Sequence, residues 1–484
     1  MINSVGENIS HDDDTLRVAV ICFLPDMGHV LPLLRFVHFE TKQRAMHVAC
    51  FLASRFEPVV LEHGFDFHGL TSLDEATNKD VFAKLSRKSN FYNAFSGFAV
   101  LADEYWAPIS QSACGELDGL AAKLATYRPH LIIADDHVFS DYYKMIADAY
   151  GARLVLHRSN GSLLPYRRPF VYAYGLNSTP SWAQGLVELA GRAHRRIVRY
   201  WRLLTSPNST SKAEAARASL KRSAENLFGG NRADGSRTPV RVACGTGVFE
   251  KDDFPTALPL LKTDEIFLPP LVVPAGELLA PEIENWISQQ SRKIVYVSFG
   301  TLICPNFAVL RSLARGLKSA GAAVLWALPS SQGERLREEG LLTKEFFFAD
   351  FLPQTALLFS GHVSCFVTHA GANSIHESLT AAVPMLCIPI IYDQHYNASV
   401  AVCLGSALKL SRRKANSDNI RACVEKLLHN PGYAQRAREI TAEIRERRDD
   451  LMRSRSWADR IFRPDFQRRD LPPTTMANRA SIES

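Results

Sequence analysis

No stretch of this 484-residue chain is long and apolar enough to span a bilayer. The nearest candidate, Ala381 to Ile391, is short and carries Pro384 and Pro389, whereas about 18 to 20 apolar residues are needed. Paired-cysteine motifs are also missing. The nine cysteines (Cys22, Cys50, Cys114, Cys244, Cys304, Cys365, Cys387, Cys403 and Cys423) are odd in number and nowhere spaced C-x-x-C. That argues against a disulfide framework or a zinc site and fits reduced thiols in a cytoplasmic protein. The N-terminus, MINSVGENISHDDD, has no apolar h-region, so no secretory leader is expected. The sequons at Asn8, Asn177, Asn208 and Asn397 are then chance matches. Nor is there an excess of one charge. Fifty-six basic against 50 acidic residues leave +6, small for this length, and nucleic acid is not called for. With 46% hydrophobic and 22% charged residues, the composition is that of a globular protein, not a disordered, collagenous or coiled-coil chain.

What is present is strand-helix alternation, in two series. Arg17 to Leu24 is a short apolar run that reads as a buried parallel strand, followed by the turn PDMGH and the helical spacing of VLPLLRFVHFE. Met46 to Leu52 and Leu131 to Ala134 read as further strands. Asp141 to Tyr150 is helical, Gly151 is its stop, and RLVLH follows. The second series comprises strands at Lys293 to Phe299, Ala322 to Ala327, Cys365 to Thr368 and Met385 to Pro389. Helices are expected at Phe307 to Ala320 and over NSIHESLTAA. Such alternation predicts doubly wound α/β domains. The expected organisation is an N-terminal domain over 1–255, a linker over 256–290 containing the Pro-rich Phe267 to Glu282, a C-terminal domain over 291–435, and Arg-rich helices and a tail over 436–484. Within the first domain, about 163–241 has few strand-like runs. It reads either as a solvated insertion or as a wall of an acceptor site.

The most informative window is Phe351 to Ala398, FLPQTALLFSGHVSCFVTHAGANSIHESLTAAVPMLCIPIIYDQHYNA. A strand ends at Thr368, HAGAN is a turn, and a helix opens near Ser374. The free N–H groups and positive dipole end of such a helix favour an anion, most often a phosphate. Gly371 allows close backbone approach, and His369, Asn373 and Ser374 add donors. Glu377 follows Asn373 by one helical turn, where a carboxylate suits a vicinal diol. Asp393 and Gln394 combine an acceptor with a mixed amide, which suits sugar hydroxyls. One strand-glycine-helix element alone is equally an ordinary βα turn; the ordered string is far more specific.

That string (aromatic-x-P-Q, T-H-x-G-x-N-S-x-x-E, V-P, D-Q-x-x-N-A) resembles the signature of the UDP-glycosyltransferases, which move sugars from nucleotide sugars to small lipophilic acceptors. The resemblance implies a GT-B architecture, two Rossmann-like domains facing each other across a cleft, with the donor bound mainly by the second. It implies that Phe351 stacks on uracil where the family usually has Trp, and that Gln354 lies near base and ribose. His369, Asn373 and Ser374 would bind the diphosphate, Glu377 the ribose, Asp393 and Gln394 the sugar, and Thr301 in SFGT would lie near the phosphates. Ala372 stands where plant members often carry Trp, which favours a microbial or fungal source. The donor implied is UDP-glucose, with no cofactor and no metal.

His29, after the first strand in PDMGHVLP, is on its own more often structural. In G-H-x-x-P it resembles the family's catalytic His segment. Imidazole titrates near 6.5 and can take a proton from an acceptor hydroxyl. A carboxylate on the other ring nitrogen would orient it and balance its charge. Asp135, directly after strand LIIA, is favoured; Asp136 is next, since adjacent residues point opposite ways, and Asp103 a distant third. His137 is either a bystander or an acceptor contact, and CGTG (Cys244 to Gly247) reads as a turn. The expectation is therefore an inverting, metal-independent transferase acting as a cytoplasmic monomer. Its acceptor would be a phenolic, polyketide or terpenoid molecule, with Phe91 to Trp106 and Tyr166 to Tyr174 lining its pocket. The alternatives are a GT-B protein that binds nucleotide sugar without catalysis, and a sterol or lipid glucosyltransferase.

Overall fold

The short apolar runs of both halves become parallel strands. The computed structural model describes residues 15–75, 105–136, 139–158, 212–229, 239–245, 265–272, 279–300, 305–390 and 393–454, with a few isolated positions besides. Strands β1 (Leu16–Ile21), β2 (Met46–Leu52), β3 (Asp66–Gly69), β4 (Leu131–Asp135), β5 (Arg153–Arg158), β6 (Val240–Cys244) and β7 (Glu265–Leu268) form one sheet in the order β3-β2-β1-β4-β5-β6-β7. Strands β8 (Ile294–Ser298), β9 (Ala323–Ala327), β10 (Phe346–Ala349), β11 (Val363–Thr368), β12 (Met385–Cys387) and β13 (Ala407–Lys409) form a second, in the order β10-β9-β8-β11-β12-β13. The pairings at both sheet centres are parallel, Val18 opposite Leu131 in the first and Thr368 opposite Ser298 in the second. Full burial of β4 and β8 on both faces explains their unbroken apolar sequences.

The helices that matter for the site are α1 (Met27–Thr41), α2 (Ala107–Tyr127), α3 (Ser140–Ala149), α4 (Lys212–Phe228), α5 (Pro281–Ser288), α6 (Phe307–Ser319), α7 (Gln354–Phe359), α8 (Ala372–Thr380), α9 (Asp393–Cys403), α10 (Ser417–His429) and α11 (Pro431–Ser454). Gly151 takes φ 63 just after α3, which ends that helix before β5. Beyond α11 the chain returns to the first sheet's side. Phe462 is buried, stacks on Phe36 of α1 at 6.4 Å, and lies under Arg44, 5.2 Å from its ring centroid.

Two sequence expectations change here. The 256–290 segment, read as a linker, supplies β7 to the first sheet and α5 to the second core, where Ile283 and Ile287 are buried. The prolines after β7 masked a four-residue edge strand, a position where a proline close by is tolerated. Strand β1 stops at Ile21, short of Leu24. Thr301, Asp103 and His137 lie outside the described residues, as do Tyr166 to Tyr174, most of Phe91 to Trp106 and most of 163–241. Among the described residues, no helix is long and apolar enough to cross a membrane, and the eight cysteines are unpaired.

In both sheets the strand order reverses between the first and fourth strands of the series, β1/β4 and β8/β11. Open α/β sheets bind ligands outside the carboxyl ends of strands at that switch point. The segments singled out above lie there: PDMGH after β1, Asp135 at the end of β4, and HAGAN after β11.

Candidate active site

Helix α1 begins just after β1 and carries His29 in its first turn. Asp26 precedes the helix in an extended conformation (φ −137°, ψ 149°), and its carbonyl accepts from His29 N and Val30 N, each at 3.2 Å. Its carboxylate, 8% exposed, accepts a hydrogen bond from Tyr105 Oη at 2.9 Å. Asp135 ends β4 beside α1, and its Oδ2 lies 3.0 Å from His29 Nδ1. That contact puts a proton on Nδ1.

Asp136 faces the other way, as strand alternation requires. Its Oδ2 accepts from Arg158 Nη2 at 2.8 Å and lies 3.5 Å from Arg241 Nε, while Oδ1 accepts from Ser140 Oγ at 3.1 Å. The two adjacent carboxylates thus do different work: Asp135 meets His29, and Asp136 sits in a buried ion pair.

The electrostatics of His29 follow from three acids. Burial pulls its pKa down, but Asp135, Asp26 and Asp393 outweigh that and push it up to about 10. The ring therefore rests as an imidazolium at neutral pH. Asp393 moves the other way from an ordinary carboxylate: burial raises it to about 6 against the hydrogen bond from Asn397 and the charge of His29. Two titratable groups pushed far from their usual values in one crevice mark a functional site better than either alone.

The opposite wall is the turn after β11. Ala370 holds a left-handed conformation, φ 66, unusual for a residue with a Cβ. Asn397 of α9 donates to its carbonyl at 3.1 Å and fixes the turn. Gly371 itself has an ordinary φ of −62. Its role is space, since a Cβ there would come within 2.6 Å of His369 Nε2. Burial pulls His369 down to about 4, so its ring is neutral. The first N–H groups of α8 are left without intrahelical partners, with Asn373 and Ser374 beside them.

Glu377, one turn into α8, is 2% exposed. Gln354 at the start of α7 donates through Nε2 to Glu377 Oε2 at 2.6 Å and to Ser374 Oγ at 3.3 Å. Phe351 is 71% exposed, more than any other large apolar side chain described, so one face of its ring is available for stacking. Asp393 opens α9 and accepts from Asn397 Nδ2 at 3.0 Å, while Gln394 Oε1 accepts from Ile390 N at 2.9 Å.

The two walls share one crevice. Asn373 Nδ2 donates to the carbonyl of Met27 at 3.3 Å, two residues before His29. Arg35 Nη2 of α1 reaches Glu377 Oε1 at 2.6 Å. The site thus brings together His29, Asp135, Gln354, His369, Gly371, Asn373, Ser374, Glu377, Asp393 and Gln394, with Phe351 at its edge. Asp26, Arg35 and Asn397 were given no site role, and Tyr105 was covered only by the aromatic stretch Phe91 to Trp106 read as a pocket wall. Asn397 lies inside the D-Q-x-x-N-A string, and Asp26 immediately precedes the M-G-H turn; nothing local flags Arg35.

Residues 267–448 match the family model described as UDP-glucoronosyl and UDP-glucosyl transferase. That stretch of the chain is similar to the UDP-glycosyltransferase family. Among curated relatives of this family, an anthocyanidin 3-O-glucosyltransferase of Zea mays is 37% identical over 171 residues, 33% of this chain and 36% of that protein. A myricetin 3-O-rhamnosyltransferase of Crocosmia x crocosmiiflora is 30% identical over 225 residues, 45% of this chain and 46% of that protein. The chain thus spans about a third to a half of the length of these curated relatives. Solved structures extend the likeness of fold over nearly the whole chain. Os79 from O. sativa, solved with U2F and trichothecene, superposes with a TM-score of 0.60 at 16% identity, covering 92% of this chain and all of that one (100%). Phytolacca americana UGT2, solved with UDP-2fluoro-glucose and pterostilbene, gives 0.56 at 18% identity, covering 91% of this chain and 99% of that one. The two-sheet arrangement is the GT-B architecture.

Proposed function

We propose that this protein is an inverting UDP-glycosyltransferase that moves glucose from UDP-glucose to a hydroxyl of a small lipophilic acceptor, a phenolic, polyketide or terpenoid metabolite. The observation that carries this reading is the hydrogen bond from Asn373 to the Met27 carbonyl at 3.3 Å. It joins the anion-favouring end of α8 to the turn that presents His29.

In the proposed reaction His29, after losing its resting proton, takes the acceptor's hydroxyl proton on Nε2, with Asp135 holding Nδ1–H and balancing the imidazolium. The acceptor oxygen forms its bond to the anomeric carbon from the face opposite the leaving group. The bond from that carbon to the diphosphate oxygen breaks, and UDP departs with the electron pair. The N–H groups opening α8, with His369, Asn373 and Ser374, face the charge that develops on the diphosphate. Glu377 takes the ribose hydroxyls, Phe351 the uracil face, and Asp393 and Gln394 the sugar hydroxyls. Thr301, in the stretch after β8, is assigned near the phosphates.

The relatives named above support a flavonoid-like acceptor, and the exposed Phe351 supports base stacking. The unpaired cysteines among the described residues support a cytoplasmic setting, and the contact of Asn373 with the Met27 carbonyl, which joins both walls within one chain, supports a monomer. The test is mass spectrometry of an aglycone panel incubated with UDP-glucose. A gain of one hexosyl unit, lost in His29→Ala, is expected. UDP-glucose consumed without acceptor would indicate hydrolysis, and UDP bound without turnover on any aglycone would indicate a binding protein.

A further inference from the structure

Glu377 has its two carboxylate oxygens held by two different domains. Gln354 Nε2, from its own domain, donates to Oε2 at 2.6 Å. Arg35 Nη2, from α1 of the other domain, donates to Oε1 at 2.6 Å and to Thr355 Oγ1 at 3.2 Å. The pair is largely out of water, with the side chains 13% and 3% exposed.

We propose that Arg35 is a positioning residue for Glu377, so that recognition of the donor's ribose depends on a cation supplied by the acceptor domain. This rests on the reading of Glu377 as the ribose-binding carboxylate. An ionised carboxylate offers about four acceptor directions, two per oxygen. Arg35 and Gln354 take one on each oxygen and leave one on each. Two remaining sites side by side match two adjacent hydroxyls. Without Arg35, Gln354 would be the one side-chain donor to the buried carboxylate among the described residues, an arrangement that favours rotation toward that amide. That rotation removes the paired acceptors.

Among the described residues, His376 does not take over the role. His376, adjacent on α8, is pulled down to about 3 by burial together with the charges of Arg35 and His157, so it carries no charge. The seam is tight beside it: a Cβ on Gly245, just after β6, would come within 2.1 Å of His376 Nε2. Among the described residues, Arg35 is the one cation paired with Glu377. Because α1 also presents His29, the same contact ties the helix bearing the base to the nucleotide wall.

The test is calorimetric binding of UDP and of 2′-deoxy-UDP to the full chain, to Arg35→Met and to Arg35→Lys. The wild-type protein is expected to prefer UDP. Arg35→Met should lose about 10- to 100-fold in UDP affinity, the size of one charge-assisted hydrogen bond, and much less for 2′-deoxy-UDP, so the preference collapses. Arg35→Lys keeps the charge on a shorter side chain without the planar fork and should keep part of the preference. Equal weakening of both nucleotides, or an unchanged preference, would overturn the proposal, because a merely structural bolt would move both ligands together. If Arg35→Met does not fold, a reduced preference in a normally melting Arg35→Lys supports the proposal and a full one overturns it. Failure of the wild-type protein to bind UDP would instead sink the donor-site reading itself.

Discussion

The pH dependence of turnover offers the sharpest test of the proposed base, because its direction is unusual. An imidazole ordinarily titrates near 6.5, yet His29 is pushed up to about 10. The difference corresponds to about 5 kcal/mol of proton affinity. Burial opposes the rise, and the Asp135 carboxylate at 3.0 Å is the largest of the charges that overcome it, a full charge about 4 Å away attracting by about 4 kcal/mol at an effective dielectric near 20. Asp26 and Asp393 contribute the rest against burial. The sign follows directly. The base form is the deprotonated ring, so at pH 7 only about one molecule in a thousand is competent. Then kcat/KM should climb roughly tenfold per pH unit from 7 toward 10. Asp135→Asn removes the largest charge that raises the pKa, so the rising limb should move down by up to about three pH units. The plateau should fall about 100- to 10,000-fold as the ring loses its orientation and counter-charge. Initial rates of UDP release over pH 5.5 to 10.5 would be measured with an aliphatic alcohol as acceptor, whose own proton does not titrate in that range. A wild-type profile flat above pH 7, or a limb that stays in place in Asp135→Asn, would refute the dyad.

Asp136→Asn should separate the two adjacent acids. Removing the Asp136 charge from its buried 2.8 Å contact with Arg158 should cost about 3 to 5 kcal/mol in denaturant unfolding, while kcat of the folded protein stays near wild type; a kcat loss matching that of Asp135→Asn would contradict the division of roles. Phe351→Ala should weaken UDP binding about 5- to 100-fold by calorimetry, whereas Phe351→Trp should retain it, and equal affinities for all three proteins would remove Phe351 from the base site. Gly245→Ala combines φ 122 with a Cβ 2.1 Å from the His376 ring. It should lower the melting temperature through about 1 to 3 kcal/mol of strain, and an unchanged melt would show that the seam gives way freely.

What the sequence made legible follows from how far apart the interacting residues lie along the chain. Central strands such as β2 and β4 are buried on both faces, so four or five consecutive apolar residues announce them. Strands β3 and β13 span only four and three residues and are defined by their neighbours in the sheet, so no local pattern marked them, whereas β10, FFFA, carries an apolar run as long as that of β4 and went unread. The same rule governs the site. The nucleotide wall sits on one strand-turn-helix element, and its residue types and spacing carry its chemistry. The choice between Asp135 and Asp136 was open, because alternation says that adjacent side chains diverge without saying which one meets His29. The reason for Gly371 was legible only in part: closeness was expected, but to a ligand, whereas the close neighbour is the His369 ring. Arg35 left no trace, being 342 positions from Glu377 and on another domain. A motif records what one element needs for its own turn or helix. The contacts that make two lobes act as one site join residues with no fixed spacing, and they become visible only once the crevice is built.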